Sequence, residues 1–168
     1  MDLIIKFILF FIFSSIKAQN YDCYSSTTPG PNSAFSCRRD IVIAVDGTPY
    51  MMSKNNIYRE LDFLETMLSN WTFGDNGANV AFIEYGFNGH LGFTRFFDNF
   101  ADCKASLEGD RYVANSTTAL QYTSLTSVIQ FVQTIYGLDS KSGPKAVYPP
   151  RPGIEPRLIV FTSTTNQS

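Results

Sequence analysis

The chain has 168 residues, 44% of them hydrophobic and 17% charged, with a formal net charge of −2. That length holds one globular domain, and a slightly acidic balance without any run of Lys or Arg excludes the footprint of a nucleic-acid binder. A content of 15 Phe, 9 Tyr and 1 Trp suits a packed core and not a disordered tail.

Residues Leu3 to Ile16 are apolar except for Lys6 and the Ser14-Ser15 pair, and Ala18 supplies a small residue for cleavage. The stretch is too short to span a bilayer comfortably and reads as a secretory leader over residues 1–18. The mature chain then begins at Gln19, is secreted to the extracellular space, and has no membrane span once the leader is removed. Residues 19–37 form an amino-terminal arm in which Cys23 and Cys37 flank a Ser/Thr/Pro/Gly-rich segment. In an oxidising compartment these two are the natural disulfide pair, and closing a loop of roughly a dozen residues contributes about 3 kcal/mol. Cys103 is left over, either as a buried small hydrophobe or as a thiol whose partner lies outside this sequence.

Asp40-Ile41-Val42-Ile43-Ala44-Val45-Asp46-Gly47-Thr48 is the organising stretch. Consecutive apolar residues, mostly β-branched, read as a strand buried on both faces at the centre of a parallel sheet. Its carboxyl end carries a carboxylate, a glycine and a hydroxyl, where open α/β sheets place ligands. Asp46 and Thr48 can there be a hard-cation site, a catalytic aspartate with its neighbour, or a turn whose side chains bond to backbone.

Next comes a helical stripe, Ile57, Leu61, Leu64, Leu68 and Trp71, with Asn55 or Asn56 to cap its start and Arg59, Glu60, Asp62 and Glu65 on the open side. Gly74-Asp75-Asn76-Gly77 breaks the chain before a strand at Val80–Tyr85, a turn at Gly86–His90, and an antiparallel edge strand at Leu91–Phe97. His90, in that turn, is a solvated loop residue with no partner to make it a base. A short helix over Asp98–Glu108 and a polar loop over Tyr112–Thr118 are expected. A second amphipathic helix follows from about Thr118, with Leu125, Val128, Ile129, Val132, Ile135 and Tyr136 on its apolar face and Gly137 as its stop. A proline-rich loop leads to an apolar strand at Arg157–Thr162. The fold class is therefore α/β, a mostly parallel open sheet with one antiparallel edge strand and flanking helices, Rossmann-like in its order.

Two families share the strand-end pattern. Haloacid-dehalogenase-type phosphatases run a hydrophobic strand into Asp-x-Asp-Gly-Thr. Asp46-Gly47-Thr48 matches the last three letters, but Ala44 stands where that resemblance needs its nucleophile. The order of elements from Asp40 onward, with Val80–Gly86 and the approach Arg151-Pro152-Gly153-Ile154 into Arg157–Ser163, resembles the von Willebrand factor A domain. That resemblance implies a divergent, partial A domain over residues 38–168. Comparable domains occur in nematode C-type lectin-like and other secreted proteins, and the chain looks like their amino-terminal portion. It implies a secreted adhesion module for a protein or glycan partner, and no enzyme; the alternative is a phosphatase relic without its nucleophile. The family's metal-ion-dependent adhesion site carries over in a degenerate form as Asp46 and Thr48, with the third oxygen among Ser116, Thr117 and Thr118. Thr118 is taken for it, although the register of the helix can also place Ala119 there. Tyr50 and Ser163 replace expected ligands, so no cofactor is expected beyond weak Mg²⁺ or Ca²⁺. The A-domain sheet continues past its fourth strand, which implies an open edge at Leu158–Phe161 and self-association of the isolated chain. Asn70-Trp71-Thr72 and Asn115-Ser116-Thr117 are glycan acceptor triplets, and Asn166-Gln167-Ser168 a third.

Overall fold

A computed structural model describes residues 38–87, 90–116, 124–137, 146–154 and 156–162. The stretch expected as a leader, the segment with Cys23 and Cys37, Thr118, Ser163 and Asn166 lie outside the described residues. The elements, in chain order, are β1 (Arg39–Asp46), α1 (Lys54–Leu68), β2 (Ala78–Phe87), β3 (His90–Phe93), α2 (Phe100–Ser116), α3 (Leu125–Tyr136) and β4 (Arg157–Val160). The fold is α/β with a mixed, open sheet in the order β3-β2-β1-β4.

β1 is central because its apolar run has a covered face on each side. It pairs in parallel with β2, from Arg39 opposite Ala78 to Asp46 opposite Tyr85, and in parallel with β4, from Ile41 opposite Arg157 to Ala44 opposite Val160. β3 returns antiparallel along β2, placing Phe93 opposite Ile83 and Gly92 opposite Glu84. Beyond β3 the chain keeps to β2, since Phe97 and Val80 exchange backbone hydrogen bonds of 2.8 and 2.9 Å. β4 is the outer strand on the other side, and among the described residues no strand pairs with its far edge.

Alternation along the strands sends side chains to two helical layers. Ile43, Val45, Val80 and Phe82 pack beneath α1 and α2, against Ile57, Leu61, Leu64, Leu68, Leu107 and Ala114. Val42, Ala44, Ala81 and Ile83 pack beneath α3, against Val128, Val132, Ile135 and Tyr136. Each large side chain removed from water in this way contributes about 1.5–3 kcal/mol. Cys103 is fully buried in the first layer as a free thiol, and burial, with Asp102 and Asp98 nearby, pushes it up to about 12. It is a small hydrophobe.

The helices depart from the sequence expectation at their ends. α1 is preceded by Ser53; Asn56 instead turns its amide back to the Met51 carbonyl at 2.7 Å. α2 continues to Ser116, through the stretch expected as a loop, because Cys103, Leu107, Asp110 and Ala114 form one buried stripe at helical spacing. Asn99 opens it by accepting the Asp102 N–H at 2.9 Å. In α3 the Ser124 hydroxyl accepts the Ser127 N–H, and Gly137 closes the helix at a φ of 67°; Leu125, expected in the apolar face, is exposed.

The proline-rich approach to β4 is fastened to the amino end of the sheet by one side chain. Arg151 donates through Nε to Asp40 Oδ1 at 2.7 Å and through its backbone N–H to Asp40 Oδ2 at 2.5 Å. Its Nη1 reaches the Gly74 carbonyl at 2.7 Å, and its Nη2 the Arg39 and Gly77 carbonyls at 2.9 Å each. The Asp40 side chain is 0% exposed, so this is a buried charge compensated by a fork of donors.

Candidate functional site

The strands β1, β2 and β4 end together, and a closed polar cluster occupies that end of the sheet. Asp46 Oδ1 accepts the Thr48 N–H at 2.7 Å, a side-chain turn of the kind Asp favours. The Asp46 N–H donates to Glu60 Oε1 of α1 at 3.2 Å, and the Gly47 N–H to the Tyr85 carbonyl at 2.7 Å. The Tyr85 hydroxyl donates to the Phe161 carbonyl at 2.6 Å, which fastens β2 to the end of β4. Asp46, Thr48 and Glu60 are only 1%, 3% and 1% exposed. The cluster is therefore shut off from solvent.

Burial raises Glu60 well above the usual carboxylate range; the Asp46 N–H pulls it partly back and the Asp46 charge pushes it further up. Tyr85 is likewise raised by burial and by the charges of Asp46 and Glu60. A second acid pair lies between α2 and β2. Asp110, buried, is pushed up to about 10 by desolvation first, and then by a shared hydrogen bond with Glu84 and its charge, with Arg111 opposing. The Glu84 carboxylate lies over β3, where a Cβ on Gly92 would come within 3.0 Å of its Oε2. Asp110 thus keeps its proton where an unfolded aspartate loses it near pH 4. The native state binds the extra proton, so this group's contribution to stability falls as pH rises from about 4 toward 10. Asp110→Asn, which cannot ionise, should melt above the parent by a margin that widens with pH. A margin independent of pH between about pH 5 and about pH 9 would contradict the retained proton on Asp110.

Of the residues nominated from sequence, Asp46 and Thr48 come together. Tyr50 sits in the 3-10 turn Pro49–Met51 and is 41% exposed, outside the buried pair. The described donors do not fit a hard dication: one Asp46 oxygen is engaged by the Thr48 N–H, and Glu60 is held toward its neutral form. The Thr48 hydroxyl has no partner among the described residues, and no group of three His, Cys, Asp or Glu among them is placed to hold a metal. His90 opens β3. Asn70 follows α1, exposed, with its amide on the Thr66 carbonyl at 2.9 Å; Asn115 is exposed in the last turn of α2, its carbonyl accepting Lys54 Nζ at 2.8 Å.

Sequence reasoning missed Glu60, Asp110, Asp40 and Arg151. For two of them a signal exists. Glu60 lies three residues after Ile57 and four before Leu64, and Asp110 stands in the same relation to Leu107 and Ala114, so both occupy core positions of their helices. Glu60, expected on the open side of α1, faces the sheet, where its carboxyl accepts the Asp46 N–H at the end of β1.

No protein-family model matches the chain, and no solved structure matches it. Among curated proteins it is similar to the C-type lectin domain-containing protein 160 of Caenorhabditis elegans, 28% identical over 153 residues, covering 88% of this chain and 21% of that protein. The chain therefore spans about a fifth of the length of the curated relative it matches. These findings correct the von Willebrand factor A assignment: no A-domain model matches, and the relative bears a C-type lectin name. The α/β architecture stands independently of that assignment. The degenerate adhesion site that came with it loses its family support; Asp46 and Thr48 belong to the closed cluster with Glu60 and Tyr85, and Thr118 lies outside the described residues.

Proposed function

We propose that the chain is a secreted, non-catalytic interaction module that binds an extracellular protein or glycan. The observation that carries this reading is the similarity along 88% of the chain to a protein named for its C-type lectin domain. The leader read at residues 1–18 and the exposed acceptor residues Asn70 and Asn115 agree with a secretory route and with glycosylation on it. Among the described residues no helix is long and apolar enough to cross a membrane. The phosphatase alternative has little chemical support: Ala44 is a buried core methyl at the nucleophile's position, and the Asp46 carboxylate faces no solvent.

The test is to present the secreted full chain to immobilised extracellular proteins and to neutral, sialylated and sulfated glycans, with aryl phosphates assayed alongside. Saturable capture of one class without phosphate release is expected. Phosphate turnover that Asp46→Asn abolishes would replace this reading with the enzymatic one.

A further inference from the structure

Among the described residues, charge is distributed unequally between the two helical layers. On α1 and α2, Arg111 bonds Asp62, Glu65 and Glu108, and Lys104 bonds Glu65. α3, with the sequence LTSVIQFVQTIY, has no charged residue. Neither has the segment Ala146–Pro150 beside it, whose Tyr148 N–H donates to the Ile135 carbonyl at 3.1 Å. Among the described residues of the edge segment, Arg95 is turned to the other layer, 6.0 Å from the Phe97 ring centre and 3.6 Å from Asp102.

Three aromatic rings from three separate elements meet on the uncharged layer. Phe93 of β3 is 40% exposed. It lies edge-on to Phe131 of α3 with centroids 5.4 Å apart, and 5.9 Å from Tyr148. The platform has a fixed base: Tyr136, packed 5.2 Å from Phe96, donates its hydroxyl to the Thr94 carbonyl at 2.7 Å. Ser127 and Thr134, four residues before and three after Phe131, are its neighbours on the helix surface and are exposed.

We infer that this layer is a carbohydrate-docking surface, with Phe93, Phe131 and Tyr148 as the stacking platform for an uncharged sugar. The inference deepens the proposed binding role and rests on it. A pyranose offers an apolar C–H face to an aromatic ring and a rim of hydroxyls to neutral donors and acceptors, which is what these rings and the Ser127 and Thr134 hydroxyls supply. A sulfated or sialylated sugar, or an acidic peptide, would find no counter-charge on α3 or on Ala146–Pro150, and Arg151 next in the chain is already engaged by Asp40, so among the described residues its charge would be desolvated without return. Size points the same way. Fully buried aromatics cover about 150–250 Å² each, and these rings are already partly covered, so the platform falls short of the roughly 800 Å² per partner of a stable protein interface.

The test uses the secreted full chain on immobilised neutral hexose and N-acetylhexosamine oligosaccharides, beside their sulfated and sialylated counterparts and a panel of immobilised extracellular proteins. Capture on a neutral sugar is expected, with at least a tenfold loss in Phe93→Ala and in Tyr148→Ala and retention in Phe93→Tyr. Ser127→Asp guards against misfolding as the cause: an acid in the first turn of α3 favours the helix while putting a charge one turn from Phe131, and it should also lose capture. Undiminished capture in the platform variants overturns the inference, as does a preference for charged sugars or for extracellular proteins; in these cases the binding-module reading survives. Capture of nothing in either class overturns both.

Discussion

Arg151→Ala should lower stability by about 3–5 kcal/mol, the usual range when one partner of a buried ion pair is removed. The Asp40 carboxylate is fully buried and has no route to water. Without the guanidinium it keeps only the backbone N–H of residue 151, while the Gly74, Gly77 and Arg39 carbonyls each lose a donor. Urea unfolding monitored by Trp71 fluorescence and by circular dichroism measures the loss; as a melting temperature it is a fall of roughly 10 °C or more for a chain of this size. Asp40→Asn combined with Arg151→Met removes the stranded charge and should lose less than the two single changes added together. A change below about 0.5 kcal/mol in Arg151→Ala, the range of ordinary surface substitutions, would mean that the clamp contributes nothing.

Gly86→Ala should be comparably damaging for a different reason. Gly86 has a φ of +86°, and a Cβ there would stand 2.5 Å from the Thr48 nitrogen and 2.7 Å from the Gly47 carbonyl carbon. Both obstacles are backbone, so no rotamer relieves the clash, and the left-handed geometry adds its own penalty. The end of β2 would have to leave the Gly47–Thr48 turn, and the Asp46–Glu60–Tyr85 cluster would open. A loss above about 3 kcal/mol, or failure to yield folded protein, is the expected result. Gly109→Ala is the matched control. Gly109 lies within α2 with nothing within 4 Å of the added methyl, and alanine there should stabilise by about 0.5–1 kcal/mol. Equal effects of the two substitutions would show that the close approach of Gly86 to Thr48 does not constrain the fold.

The order of elements was legible because it rests on local periodicity. The β-branched run of β1, the Ile57–Leu68 stripe of α1 and the short β2–β3 connection each carry their own signature, and together they prescribe a mixed sheet. What escaped was set by distant partners. Asp40 and Arg151 are 111 positions apart, and nothing around either residue announces the other. Glu60 and Asp110 break the apolar pattern at positions that are nonetheless core, so the pattern alone ends α2 too early and places Glu60 of α1 in water. The strand-end triplet Asp46-Gly47-Thr48 drew the family resemblance, yet a carboxylate, a glycine and a hydroxyl after a buried strand also serve to fold the chain end onto itself. Phe93, Phe131 and Tyr148 come from three segments, and only the sheet register and the seating of α3 bring their rings together.

The central claim, that this is a binding module using its uncharged layer, is tested most directly by amide chemical-shift mapping of the folded full chain titrated with a neutral oligosaccharide. The predicted result is saturable shifts confined to Phe93, the exposed side of α3 around Ser127, Phe131 and Thr134, and the Val147–Tyr148 segment, with the Asp46–Glu60–Tyr85 cluster unmoved. Shifts centred on the Tyr50–Met52 turn and the strand ends, or no shifts at saturating sugar, would contradict it.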